Sequence, residues 1–400
     1  MGLLAIWADR GRDLVPHLTE QTTSLRGFQI LVEAFRLWEL YEPTHPEHAG
    51  RVDDFFLLVE QAFARTIVQR EGDWPLPGAR RARARRADAP CISIVEPSWH
   101  LLGGQKANGL WGLYRGAASR AGLLSDDLMR LSTATFAEST AHTAWTPRAQ
   151  QSFCTLAKQA LDADMPVIPL PTHGNHAVVK ALAGTWTRVP LAAHLHDRLV
   201  ASYPLNAALA ALLLDAEGLN HRAVLTQART QLPIHATVLQ DVVRCENLLS
   251  VLESIFLWLC AQKGQRLEMV APTLDVDLGA LEAARIAFGS SGHYRSRAAS
   301  TRQERIVEEL DTSGHLALTR SVLELHRKVS KDRGRAAWVW EDQGLVRSEL
   351  DAAAPEATEL LPGIGWRNDY YLAPLQSIAL QLRELGHPTP DLSAPQAVSP

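Results

Sequence analysis

Paired cysteines are absent from this 400-residue chain: Cys91, Cys154, Cys245 and Cys260 stand far apart and form no C-x-x-C motif. That spacing excludes a zinc knuckle and a disulfide framework and predicts a protein of the reducing cytoplasm. Long apolar runs are absent as well. The densest, NLLSVLESIFLWLCA from Asn247 to Ala261, falls short of the roughly 20 residues a bilayer crossing needs. It also carries Glu253 near its middle, so it reads as a buried helix and no membrane partner is expected. The opening MGLLAIWADRGR has no basic segment ahead of an apolar one, and Ile6 stands where a myristoylation motif takes Ser or Thr. Neither an export signal nor a lipid anchor is therefore predicted.

Lysine is scarce, supplying six of the 40 basic residues, and the formal net charge is −4. An acidic total speaks against a protein that coats nucleic acid indiscriminately, which leaves local clusters to be weighed one by one. Arginine in place of lysine, with abundant Ala and Leu, is what a GC-rich genome writes without selection, so an arginine run means less here than elsewhere. Complete catalytic signatures are missing. LLGGQKANG contains Lys106 but lacks the G-x-x-x-x-G-K-[ST] spacing that cradles phosphate. FGSSGHYRS, with Ser290, Ser291 and His293, is not the G-x-S-x-G of a nucleophile elbow and reads as a helix-ending loop. No H-E-x-x-H occurs, and no repeat of 34 or about 40 residues marks a solenoid.

Helical periodicity is what the sequence does have. From Thr23 to Glu42, Phe28, Leu31, Phe35 and Trp38 recur at spacings of three and four, and between Val52 and Glu71 so do Phe56, Val59, Phe63 and Ile67. Joined by EPTHPEHAG, the two predict a helix pair. CISIVE predicts a buried strand. A helix follows from about Leu110, Gly122 stops it, and Ser125 with Asp126 and Asp127 predicts a new start, giving a helix-turn-helix or winged-helix-like unit. The longest helix is expected from about Ala236 to Lys263, and HLALTRSVLELHRKVSK sets Leu318, Val322, Leu325 and Val329 on one face. RAAWVWEDQGLVRSEL predicts a β-hairpin turning at Asp342, Gln343 and Gly344, before a last helix. The expected fold class is mainly α: a multi-helical body with a winged-helix-like segment and a C-terminal β-hairpin. Its parts are an N-terminal helical pair (1–75), an Arg-rich linker (76–90), the winged-helix-like unit (91–145) and a helical body (146–335). A β-hairpin with the terminal helix (336–387) and a disordered tail (388–400) complete it.

Two basic concentrations and one histidine group are the candidate sites. LPGARRARARRADAP holds Arg80, Arg81, Arg83, Arg85 and Arg86 between Pro-bearing flanks, with no apolar stripe to dock, and reads as a mobile linker able to neutralise phosphates. Five such contacts would give a log–log salt slope of about −4.5 on duplex DNA. In the following unit, Lys106, Arg115 and Arg120 are the cations expected to face phosphate. Between Ser291 and Arg335, eight Arg and two Lys oppose six acids; Arg295, Arg297 and Arg302 are the contacts expected there, with Tyr294 able to stack on a base. His173, His176, His194 and His196, with Asp197, are the residues from which a hydrolytic metal centre could be built. Two residues apart on a helix, His194 and His196 would point about 200° from one another, which disfavours joint ligation.

LVPHLTEQTTSLRGFQILVEAFRLWELYE resembles the opening of a loosely defined group of mostly helical bacterial proteins encoded in anti-phage defence operons. Leu14, Pro16, Leu18, Thr22, Arg26, Phe28 and Trp38 carry the resemblance, and Gly27 departs from it, standing where that group often has an aromatic. GLWGLYRGAASRAGLL and HRKVSKDRGRAAWVW are similar to segments of the same proteins. The resemblance implies a non-catalytic or regulatory component working beside an operon-encoded nuclease, helicase or ATPase, without cofactor and with no catalytic residue to transfer. The function expected is a nucleic-acid-binding or adaptor subunit contacting the phosphate backbone of DNA or RNA. The alternatives are a protein–protein scaffold without DNA contact and a metal-dependent hydrolase or nuclease using His173, His176, His194 and His196.

Overall fold

A computed structural model describes residues 2–70, 72–162, 165–215 and 220–387. The fold is mainly α-helical, and the tail expected at 388–400 lies outside the described residues. Two compact units share the chain discontinuously: a first unit of Met1–Val15 and Ala216–Leu372, and a second of Pro16–Asp215 and Ala373–Pro400. Their three boundaries fall inside the stretches 1–75, 146–335 and 336–387. Helix α1 (Leu4–Leu14) opens the chain and belongs to the first unit.

The second unit is built on α2 (Leu25–Tyr41) and α3 (Val52–Gln69), which form at the two predicted aromatic stripes. Phe28, Phe35, Phe56 and Phe63 are fully buried, and Phe35 meets Phe56 edge-on at 6.0 Å. Around this pair run α4 (Ala79–Ala84), β1 (Cys91–Ile92), α5 (Gln105–Asn108), α6 (Leu110–Arg120), α7 (Thr133–His142) and α8 (Pro147–Leu161). They are followed by β2 (Ile168–Pro169), α9 (Ala177–Arg188), α10 (Ala192–His196) and α11 (Pro204–Asp215). Gly27 sits where the ring of Tyr114 lies against α2, so that a Cβ there would collide with it.

Three local expectations meet a different outcome. The Arg-rich segment is a short helix, α4, because Trp74 and Leu76 before it and Ala82 within it are buried; one small apolar side chain suffices where the anchors lie outside the helix. The helix expected at Ser125 starts at Thr133, capped by Ser132. Asp127 instead accepts from Ser125 Oγ and Met129 N and closes its own turn, the competition that short polar side chains offer to helix starts. CISIVE contributes only the two residues of β1, which pair antiparallel with β2, outside 91–145. Within 91–145 the helices α6 and α7 are joined by a turn closed by the bridge Leu124↔Leu131, and among the described residues no hairpin wing accompanies them.

The first unit winds around α13 (Ala236–Ala261), the 26-residue helix that the sequence predicted almost to the residue. Before it comes α12 (His221–Gln231); after it come α14 (Leu267–Val270), α15 (Leu278–Gly289), α16 (Arg297–Glu309) and α17 (His315–Asp332). The late hairpin forms as expected, β3 (Val339–Asp342) against β4 (Leu345–Ser348), turning through Gln343 and Gly344, both with positive φ. That is the backbone sense that matches the twist of a two-residue hairpin loop. Finally α18 (Leu372–Glu384) returns to the second unit, where Gln381 Oε1 accepts from Leu25 N at 3.0 Å.

Each unit buries a carboxylate at the centre of a long helix. In α2, Glu33 accepts from Arg36 Nε at 3.0 Å and from Thr143 Oγ1 at 3.2 Å, with both charged side chains out of contact with water. Burial raises the Glu33 carboxyl, opposed by Arg36. Removing one partner of a buried pair strands the other charge, at about 3–5 kcal/mol. Glu33→Ala should therefore destabilise the protein by that amount in a denaturant titration, whereas Glu33→Leu combined with Arg36→Met should recover most of the loss; equal losses would show that the pair is not an isolated charge balance.

A candidate cationic cleft in the second unit

Three polar side chains on α3 break into its apolar face, and each captures a separate stretch of chain. Gln61 exchanges two hydrogen bonds with Ser93, donating to its carbonyl at 2.9 Å and accepting from its amide at 2.8 Å. Arg65 donates to the carbonyls of Arg81 at 3.2 Å and Trp99 at 2.9 Å, tying α4 to the PSWH turn. Glu60 accepts from Gln105 Nε2 at 2.7 Å and from Leu110 N at 2.9 Å, while Gln105 Oε1 accepts from Leu101 N at 2.9 Å. Gly78, with φ of 85°, lets the chain turn into α4 directly against Leu101, where a Cβ would clash.

These ties gather α4, the turn at 97–100 and the loop at 101–106 around a cleft of about 920 Å³. Arg81, Arg85, Lys106 and His100 give it donors, Leu57, Ile94, Pro97 and Leu102 give it apolar wall, and Asp54 is its carboxylate. Beneath it, the guanidinium carbons of Arg65 and Arg85 lie 5.5 and 4.3 Å from the centre of the Trp99 ring. Burial, then the neighbouring charge of Arg85, pulls Arg65 down to about 10, which leaves it protonated at neutral pH. Lys106 bridges Asp53 at 2.8 Å and Asp54 at 2.7 Å; burial works against its charge, and the two carboxylates more than offset it.

The eleven cations singled out in the sequence are therefore not equivalent. Arg81, Arg85 and Lys106 come together in the cleft. Arg80 and Arg81 are exposed and pair with no carboxylate among the described residues. Arg83 is paired with Asp73, and Arg85 reaches Asp88 at 3.4 Å. Arg86 is exposed. On α6, Arg115 lies 4.5 Å over the Trp111 ring and Arg120 donates to the Pro16 carbonyl at 2.8 Å, so both are engaged within the fold. Arg295, Arg297 and Arg302 belong to the first unit. There Arg295 meets Asp13 at 3.1 Å, Arg302 meets Asp332 at 3.4 Å, and Arg297 is exposed at the start of α16. Tyr294 is no stacking platform: it is buried, with the Arg10 guanidinium 3.9 Å over its ring.

The histidines are dispersed in their bonding. His176 caps α9, accepting from Val178 N, and His173 precedes it in an exposed turn. His194 bonds Thr135 Oγ1 at 3.0 Å, and His196 stacks on His387. Among the described residues no group of three or more His, Cys, Asp or Glu side chains is arranged to hold a metal ion. Ser290 ends α15 and donates to the Ala287 carbonyl, as a helix-terminating residue does.

Glu60, His100 and Trp99 were not singled out from the sequence. The signal for Glu60 was present: it falls on the same helical stripe as Phe56, Phe63 and Ile67, where a carboxylate has to be satisfied from elsewhere. Burial raises its carboxyl from 4.5 to about 7, against the pull of its two donors. Between those pH values the folded protein keeps a proton that the unfolded chain releases, so stability falls as pH rises through this window, by about 3 kcal/mol in all. Thermal melts should show the stability of the wild type relative to Glu60→Gln dropping by several degrees between pH 5 and pH 8; a difference independent of pH would assign the titration elsewhere.

No protein-family model, curated protein or solved structure matches the chain, so its chemistry is read from its own side chains.

Proposed function

We propose that the second unit binds single-stranded nucleic acid through its phosphates, in the cleft where Arg81, Arg85 and Lys106 meet, and that the protein acts as a non-catalytic binding or adaptor subunit. One observation carries the reading: cations from two separate sequence motifs, the Arg run and the LLGGQKANG loop, line one concave surface that also offers apolar wall. A concave site suits an unpaired strand, whose phosphates follow the cations while a base rests on apolar surface. Arg83 and Lys106 are held by carboxylates at 2.8 Å or less, whereas Arg85 reaches Asp88 only at 3.4 Å, so Arg81 and Arg85 in the cleft, with Arg80 beside them on α4, are the cations that do the neutralising. Membership of an anti-phage defence complex, beside a nuclease, helicase or ATPase, rests on the resemblance of the opening segment. A cytoplasmic setting is supported by the cysteines, free of disulfides and mostly buried; among the described residues no helix is long and apolar enough to cross a membrane.

A second reading, a docking scaffold for a partner protein, is favoured by Trp338 and Trp340, which stand 42% and 37% exposed at the late hairpin. Exposed tryptophans are the side chains most often found carrying binding energy at interfaces. In that case Trp338→Ser with Trp340→Ser would abolish co-purification of an operon-encoded partner, and nucleic-acid binding would be absent from the start.

Three phosphate contacts on a single strand correspond to a log–log salt slope of about −2. Fluorescence anisotropy with a labelled oligonucleotide should show that slope shrinking by about 2 in the triple variant Arg80→Gln, Arg81→Gln, Arg85→Gln, and by less than one contact in Lys106→Gln. An unchanged slope in the triple variant rejects the cleft as the binding surface.

A further inference from the structure

The first unit carries an open groove of its own, of about 560 Å³, between α12 and α13. Its polar lining comes from one face of each helix. Thr226, Arg229 and Thr230 stand at i, i+3 and i+4 on α12, and Thr237, Gln240 and Arg244 at i, i+3 and i+7 on α13. No carboxylate lines it among the described residues. Two guanidiniums, with hydroxyls and an amide between them, is a donor set that matches the oxygens of a phosphate group.

The two arginines are held differently. Arg244 is oriented by Asp241, whose Oδ1 accepts from its Nη1 at 3.1 Å; Asp241 is itself buried and fixed by Gly292 N at 3.0 Å. Among the described residues the other guanidinium N–H groups of Arg244 have no hydrogen-bond partner. Arg229 is exposed and pairs with no carboxylate among the described residues. Thr226 donates its proton to the Arg222 carbonyl at 2.9 Å, whereas the hydroxyls of Thr230 and Thr237 have no hydrogen bond within the described residues. The volume falls within the roughly 300–1,000 Å³ of small-molecule sites.

We propose that this groove is a binding site for a small phosphate-bearing ligand, held between Arg229 of α12 and Arg244 of α13, with Thr230, Thr237 and Gln240 as neutral donors. It is independent of the nucleic-acid cleft, which lies in the other unit and uses other cations. Its ligand bridges two helices, so binding fixes α12 on α13.

Calorimetric titration of the full chain with inorganic pyrophosphate tests this, using chloride at equal ionic strength as the control. Saturable binding at millimolar concentration or tighter is expected, weakened about tenfold or more by Arg229→Gln and by Arg244→Gln. It should be retained in the Arg80→Gln, Arg81→Gln, Arg85→Gln variant, so that a failure of this site and a failure of the nucleic-acid reading are told apart. Arg229→Gln alters an exposed side chain outside any ion pair among the described residues, and an unchanged circular dichroism spectrum confirms its fold. No saturable heat, or binding unchanged in Arg229→Gln, overturns the proposal. Displacement of pyrophosphate from this site by an oligonucleotide without terminal phosphates also overturns it, because the ligand would then be a nucleic-acid backbone.

Discussion

A charged or polar side chain sunk into a helical core has to be supplied with partners, and in this protein that requirement recruits distant chain. Glu33 draws Thr143, Glu60 draws Gln105 and the amide of Leu110, and Arg65 draws the carbonyls of Arg81 and Trp99. In the first unit Glu246 of α13 accepts from Trp7 Nε1 at 2.8 Å, from Tyr370 Oη at 2.6 Å, and from the amides of Arg367 and Asn368. Leaving any of these groups unpaired would cost more than most single contacts contribute. Apolar burial makes the helices adhere, and these buried groups decide which loop lies where. The cleft is a product of that rule, since its walls are the segments that α3 holds by hydrogen bonds.

What was legible in the sequence follows the same division. The stripes of α2 and α3, the extent of α13 and the turn at Gln343-Gly344 are local patterns, and they form where periodicity and turn chemistry put them. Features whose cause is distant were not legible. Trp74, Leu76 and Ala82 anchor α4 from close by, but the bond to the Arg81 carbonyl that ties it to the fold comes from Arg65, one helix earlier in a mainly apolar stretch. The strand at Cys91 is short because its partner at Pro169 is itself two residues long. Asp126 and Asp127 look like a helix first turn until Asp127 is seen to bond its own turn. The cationic cleft was half legible: its charges stood out, and their convergence did not.

Arginine abundance has a structural use here beyond any ligand. Arg115 covers Trp111, Arg10 covers Tyr294, and Arg26 lies 5.1 Å from the Trp186 ring while donating to the Trp186 carbonyl. A planar guanidinium can lie on an aromatic face and still spend its N–H groups at the rim, which an ammonium does less well. Many of the arginines that a charge count would assign to a partner are therefore spent on the fold. The exposed pairs, such as Arg83 with Asp73, are worth little individually to stability.

The discontinuous first unit sets an order of events during synthesis. Trp7 and Glu246 are 239 residues apart, and Glu246 and Tyr370 a further 124. At the ribosome's pace of roughly 5–20 residues per second, α13 waits on the order of ten seconds between its own emergence and that of the hydroxyl and amides that satisfy its carboxylate. Until the segment at 367–370 arrives, water has to take the places of its hydroxyl and amides on the Glu246 carboxylate. The central helices of the second unit, α2 and α3, are made before α13, and α18 follows after it. Assembly of the two units is thereby staggered in time by the path of the chain itself.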